Sequence, residues 1–220
     1  MNHRVTAFFL LLTLSTLPEA AIAQTIDQWI DRGNAALNSG KSQSAEQIFR
    51  QGIARNPDAA DLYLGLGIAL ESQNRWEEAA TAYRQATQLD SSLPTAYFRL
   101  GNSLNSLEQW QAAVTAFRQA LRLDSKDGNA YLGLAYALSL LGQWDEAIDT
   151  YRQATRLSPD FYEAYYGLGI VLGQQGDLDG AVENLQRTVQ IRPDFVDAYT
   201  WLGIWEGDRG NYDTAIRSLR

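Results

Sequence analysis

Apolar and polar positions alternate along this chain with two superposed periods. At short range, Tyr63, Leu66, Gly67 and Leu70 recur at steps of three and four, and Ala79, Tyr83 and Ala86 do so again further on. Such steps place side chains on one face of an α-helix. At longer range the same residue types return every 34 positions. One series is Gly33, Gly67, Gly101, Ala135, Gly169 and Gly203; a second is Ala45, Ala79, Ala113, Ala147, Ala181 and Ala215. A third, Trp29, Tyr63, Tyr97, Tyr131, Tyr165 and Tyr199, is aromatic throughout, and a fourth, Phe49, Tyr83, Phe117, Tyr151, Leu185 and Leu219, is large and apolar throughout. Independent series in one register define an internal repeat.

Each repeat predicts two antiparallel helices. Asn74 and its equivalents Gly40, Gly142, Gly176 and Gly210 stand where a C-terminal cap ends the first helix. Pro57, Pro159 and Pro193 share one phase, with Ser91 and Ser125 at intervening positions, and mark the turn into the next unit. The small residues at 67 and 79 let the two helices approach closely, and the aromatics at 63 and 83 fill the space between them. Glu77, Glu78, Asp145, Glu146 and Asp213 fall in the first turn of second helices, where they complement the helix dipole.

At these residues the chain resembles the tetratricopeptide repeat (TPR) family. Tyr63, Leu66-Gly67, Leu70, Ala79, Tyr83 and Ala86 follow the family pattern almost position by position. Departures are Arg32 where leucine is expected, Ala135 for glycine, and Glu206 where an apolar residue is usual. The resemblance implies an all-α fold, a right-handed α-solenoid of antiparallel helix pairs. Complete repeats run over 26–59, 60–93, 94–127, 128–161 and 162–195, with a partial sixth over 196–220 that stops inside its second helix. Domain organisation is then 1–23 and 24–220, with no boundary inside the repeat array.

Residues 1–23 read as a secretory signal: Arg4, an apolar run from Val5 to Leu17, and Ala21-Ile22-Ala23 as a small-x-small cleavage site before Gln24. The rival reading is an uncleaved membrane anchor, although a spanning helix needs about 20 apolar residues. Export to a periplasm, a thylakoid lumen or the exterior is expected, with membrane attachment if the signal is retained and no stable insertion once it is cleaved. His3 is the one histidine and would leave with the signal. Cysteine is absent, which removes disulfide frameworks, thiolate metal sites and cysteine nucleophiles. A composition of 45% hydrophobic and 20% charged residues is that of a folded chain. A net charge of −8 argues against a nucleic-acid backbone as partner. No catalytic, cofactor or metal site is expected.

In the family that the chain resembles, first helices line a concave groove. Positions 2, 5, 9 and 12 of each repeat share one helix face. Groove candidates on that face are Ile30, Asn34, Leu64, Ile68, Phe98, Asn102, Leu132, Tyr136, Tyr166 and Ile170, with Arg99 beside them as the basic residue. An apolar, aromatic surface edged by Asn and acids suits an extended or helical peptide. The family's two-carboxylate clamp for acidic chaperone C-termini is absent: Asn34 and Arg99 match it, but Ile30, Gly65 and Thr95 stand at its other positions. Cytosolic chaperone C-termini are therefore excluded as partners. Arg99 could instead pair with a ligand carboxylate or with a groove acid of its own chain.

Other signals are absorbed by the repeat. Gly65-Leu66-Gly67 and Gly167-Leu168-Gly169 lack the third glycine of a dinucleotide fingerprint. Trp76, Trp110 and Trp144 recur at the start of second helices, where packing residues are expected, and Trp201 and Trp205 are expected to pack under their own repeat. Arg50, Arg84, Arg118 and Arg152 form a row on a solvated outer face. Two functions follow. One is a non-catalytic scaffold or assembly factor, exported and binding protein or peptide segments in its groove. The other is the repeat region of a longer exported enzyme or secretion machine whose active part lies outside these residues.

Overall fold

The computed structural model describes residues 25–218, so the expected signal and Leu219 lie outside the described residues. Every regular element within them is a helix. First helices are α1 (Ile26–Asn38), α3 (Ala60–Glu71), α5 (Pro94–Ser106), α7 (Gly128–Leu140), α9 (Tyr162–Gln174) and α11 (Val196–Asp208). They alternate with second helices α2 (Ser42–Arg55), α4 (Trp76–Leu89), α6 (Trp110–Leu123), α8 (Trp144–Leu157), α10 (Leu178–Ile191) and α12 (Tyr212–Ser218). Each helix packs on the next in sequence, and α1 with α3, α5 with α7, α7 with α9 and α9 with α11 also touch. The result is an α-solenoid whose first helices form the inner wall.

Local chemistry sets the helix ends. Thr25 opens α1 with a capping box: its Oγ1 accepts from the Gln28 N–H at 3.3 Å, while its own N–H donates to Gln28 Oε1 at 3.0 Å. Asp127 and Asp177 cap α7 and α10 through their side chains. Turns from first to second helix reverse through one left-handed residue: Gly40, Asn74, Gly142, Gly176 and Gly210 all have positive φ. The next residue returns its N–H to the preceding helix, as Lys41 does to Ala36 O at 2.9 Å and Asn211 to Glu206 O at 2.8 Å. In the third repeat this position is Glu108, at φ 58. A side chain with a Cβ is strained there, and the sequence signal for the cap is missing.

Packing between helices turns on one large side chain per repeat. Phe49 of α2 is fully buried between α1 and α3, and both face it with glycine. A Cβ on either Gly33 or Gly65 would come within 2.3 Å of its ring. Phe117 sits in the same way between Gly101 and Gly133, at 2.7 and 2.4 Å. Tyr83 abuts Gly67 at 2.4 Å, and Tyr151 abuts Gly167 at 2.5 Å. One ring thus ties its own repeat to the next. Arg99 and Trp201 occupy positions equivalent to Gly65. Trp201 packs against the cluster that contains Leu185, the smaller member of the ring series.

Charged residues knit the outside and fill one interior position. Glu46 accepts from Gln73 Nε2 at 3.0 Å, Arg50 Nε at 2.9 Å and Arg75 Nη1 at 2.6 Å, and Arg75 also holds Glu78. Burial opposes ionisation of Glu46, but these donors outweigh it and lower its pKa. On the exposed outer face, Arg50, Arg118 and Arg152 pair with Glu46, Glu146 and Asp149. Glu206 keeps only 5% of its surface exposed. It is tolerated among apolar neighbours because Arg209 and Asn211 donate to it at 3.2 and 2.7 Å.

Two substitutions test these devices. Gly133→Ala should lower stability by about 1–2 kcal/mol, the usual scale of overpacking. In a Phe117→Leu background the same change should cost little, a coupling read from a thermal-melt double-mutant cycle. Glu108→Gly should raise stability by about 0.5–1 kcal/mol by removing left-handed strain. An unchanged or lower melting temperature would contradict that assignment.

Candidate functional site

The inner wall carries one well-formed cavity of about 690 Å³, between α5 and α11. Phe98 and Asn102 come from α5, Leu132 and Tyr136 from α7, and Tyr166 and Ile170 from α9. Helical steps of three and four bring each pair to the same face. Gly133 and Gly167 also line it, and each has a buried ring, Phe117 and Tyr151, packed where a Cβ would stand. Trp144, at the first position of α8, and Trp201 of α11 complete the lining together with Tyr151. The middle is aromatic and aliphatic, with Asn105, Asn129, Ser139, Glu163 and Gln174 around it. Asn105 Nδ2 donates to the Gly133 carbonyl at 3.2 Å, whereas its buried Oδ1 has no hydrogen-bond partner.

The sequence candidates divide into two groups. Phe98, Asn102, Leu132, Tyr136, Tyr166 and Ile170 converge on the cavity. Ile30, Leu64 and Ile68 do not line it; they are half-buried and pack against the core of the first repeats. Asn34 is exposed on α1, also away from the cavity. Arg99 is engaged within the chain, its Nη1 lying 3.3 Å from both carboxylate oxygens of Glu71. The Tyr83 hydroxyl donates to that carboxylate as well. Of the two roles open to Arg99, the structure places it in the intramolecular pair.

Several lining residues were not legible as such. Trp144 belongs to a second helix, and its place at the helix start swings it to the inner wall. Trp110 reaches inward too and meets the Tyr136 ring edge-on at 6.1 Å. Trp201 and Trp205 pack against a cluster that spans their own repeat and the preceding one. Trp205 lies where a Cβ on Gly173 of the preceding repeat would sit, 2.4 Å from its ring, and Trp201 stacks on it at 5.3 Å. The cause is Gly173, which leaves room on α9. The signal was Trp201 itself, a large ring at a position that is glycine at Gly65, Gly133 and Gly167.

Charge is segregated between the two walls. Second helices carry arginines and acids in equal number. First helices carry Asp27, Asp31, Asp61, Glu71, Glu163, Asp197, Glu206 and Asp208 against Arg32 and Arg99. The inner wall is therefore the acidic one. Among the described residues no group of His, Cys, Asp and Glu could hold a metal ion, and no helix is long and apolar enough to cross a membrane.

Burial also sets the acid–base behaviour of the tyrosines. Burial, reinforced by the Glu71 charge, pushes Tyr83 far above the ordinary phenol range. Burial pushes Tyr151 up to about 12, although a Ser139 hydrogen bond opposes it. Tyr166 is raised by burial first and then by Asp197. A raised folded pKa means stability that is complete below the unfolded value of about 10 and lost as pH rises above it. Thermal stability should therefore fall steeply from about pH 10 upward, by as much as ~1.4 kcal/mol per pH unit per buried tyrosine. Phenolate absorbance of the buried tyrosines should emerge together with unfolding, and Tyr83→Phe should flatten the slope.

With this geometry in view, comparison with known proteins gives a consistent picture. The family model described as the cilia and flagella-associated protein 70 C-terminal domain, a TPR domain, matches residues 12–197. No curated protein matches the sequence. Among solved structures, YrrB, described as a TPR protein with an unusual peptide-binding site, is 29% identical with a TM-score of 0.68, over 78% of this chain and 88% of that one. Pseudomonas aeruginosa pilF superposes with a TM-score of 0.76 at 16% identity, over 88% of each chain. MamA from Desulfovibrio magneticus RS-1 gives 0.69 at 22% identity, over 73% of this chain and 90% of that one. The last two likenesses concern the fold alone.

Proposed function

The chain belongs to the TPR family described as the cilia and flagella-associated protein 70 C-terminal domain, and from that premise we propose an exported, non-catalytic scaffold that holds a peptide segment in its inner groove. A TPR solenoid is a protein–protein interaction scaffold. The observation that carries the finer reading is the aromatic-lined cavity on the inner wall. Clefts of about 300–1,000 Å³ with an apolar lining and a few placed polar groups are the usual form of binding sites. That YrrB is described as having a peptide-binding site supports the same reading by likeness. Export rests on Arg4, the Val5–Leu17 run and Ala21-Ile22-Ala23 ahead of Gln24.

Tyr136 is 48% exposed, so its truncation should leave the fold intact. The test immobilises the chain and compares capture of exported proteins with that by Phe98→Ala/Tyr136→Ala/Tyr166→Ala and by an outer-face control, Arg84→Ala/Arg118→Ala. Capture should drop at least tenfold for the groove variant and stay unchanged for the control, the expected loss when central aromatic anchors are removed. An identical partner set for all three proteins rules the groove out.

A further inference from the structure

The charge segregation between the walls bears on which segment the groove accepts. None of the residues lining the cavity is a lysine or arginine, and Arg99 is held by Glu71. Glu163 lines the cavity at the start of α9. Asp197, at the start of α11, lies close enough to Tyr166 to oppose its ionisation. The rings of Tyr136, Trp144, Tyr166 and Trp201 line the same cavity as Glu163. Elsewhere the molecule sets guanidinium groups over its aromatic faces: Arg32 and Arg55 lie 5.0 and 5.5 Å from the Trp29 centroid, and Arg192 lies 4.7 Å from that of Tyr162. The cavity's lining supplies no such cation to its own rings. Ring faces and carboxylates both attract positive charge, and more strongly as water is displaced. Acids in a first turn also complement the helix dipole, but the dipole gives no reason for a cavity lining without a single basic residue.

We infer that the groove takes a cationic, apolar peptide segment, with aliphatic or aromatic side chains seated between α5 and α11 and a flanking lysine or arginine set against Glu163, Asp197 and the neighbouring tyrosine faces. The inference rests on the groove reading above and adds the charge of the occupant. An acidic segment is disfavoured there by the same carboxylates, since like charges brought together without compensation repel.

Trp144 and Trp201 line the cavity, so their emission reports its occupation. The full 220-residue chain is titrated with three synthetic peptides that share one leucine- and phenylalanine-containing core and carry lysine, glutamate or uncharged flanks. The lysine-flanked peptide should bind at least tenfold more tightly than the glutamate-flanked one. That advantage should shrink to about twofold or less in Glu163→Gln/Asp197→Asn, and as salt rises from roughly 50 to 500 mM and screens the exposed carboxylates. Circular dichroism verifies that the double variant keeps its helices. Equal affinity for the three peptides, or an advantage that the double variant leaves unchanged, overturns the charge assignment and leaves the groove reading standing. No binding by any of them also overturns it; combined with unchanged capture by the groove variant, that result overturns both.

Discussion

One contact sets the geometry of this molecule: an aromatic ring from each of the first four second helices, Phe49, Tyr83, Phe117 and Tyr151, wedged against glycine backbone on a first helix beside it. Phe49 is the fullest case, because Gly33 and Gly65 close on it from two repeats. The two glycines have different effects. The first fixes the spacing of the pair inside a repeat. The second fixes the spacing between repeats, so the same ring transmits the geometry of one unit to the next. Nearest-neighbour coupling of this kind is what makes a repeat protein a quasi-one-dimensional object. Where the second glycine is replaced, something else changes with it: Arg99 joins Tyr83 in holding Glu71, and Trp201 packs against the cluster that holds Leu185.

The groove inherits its shape from this arrangement. Rings of Phe117 and Tyr151 take the space where Gly133 and Gly167 would carry a Cβ, so these residues add only backbone to the lining. Leu132, Tyr136, Tyr166 and Ile170 rise on either side. In the first two repeats the equivalent residues Ile30, Leu64 and Ile68 pack against the core and do not line the cavity. The cavity is thus confined to one part of a wall that looks uniform in sequence. Its C-terminal boundary is Trp201, stacked on a Trp205 that reaches across to α9 because Gly173 leaves it space.

Electrostatics divides the same two walls. Arginines on second helices find acids within or between repeats, as in the Glu46 cluster that joins α2 to α4 and in the Arg118–Glu146 pair. Exposed pairs of this kind contribute little each, on the order of 0–1 kcal/mol. Their main consequence is that the outer face is neutralised internally. Most of the net charge of −8 is thereby left to the first helices, with their eight acids against two arginines. Glu206 is an exception in kind, a buried carboxylate made tolerable by Arg209 and Asn211.

The 34-residue period, the helix pairs, the glycine caps and the ring positions are properties of the sequence, because each depends on contacts within a repeat or to the adjacent one. Periodicity reads such contacts directly: Gly67 and Tyr83 recur together because they touch. Glu108 escaped, since a glutamate carries no sign that its backbone is left-handed. Part of the groove was legible for the same reason, as Phe98, Leu132 and Tyr166 share one phase of the inner helix face and Asn102, Tyr136 and Ile170 share another. What tertiary structure alone decided is which members of that phase line a cavity. It also decided the pairing of Arg99 with Glu71, and the reach of Trp144 and Trp201 into the groove. Those outcomes depend on the volumes of side chains from different helices meeting in one place. A repeat phase assigns every unit the same role, and only packing tells its members apart.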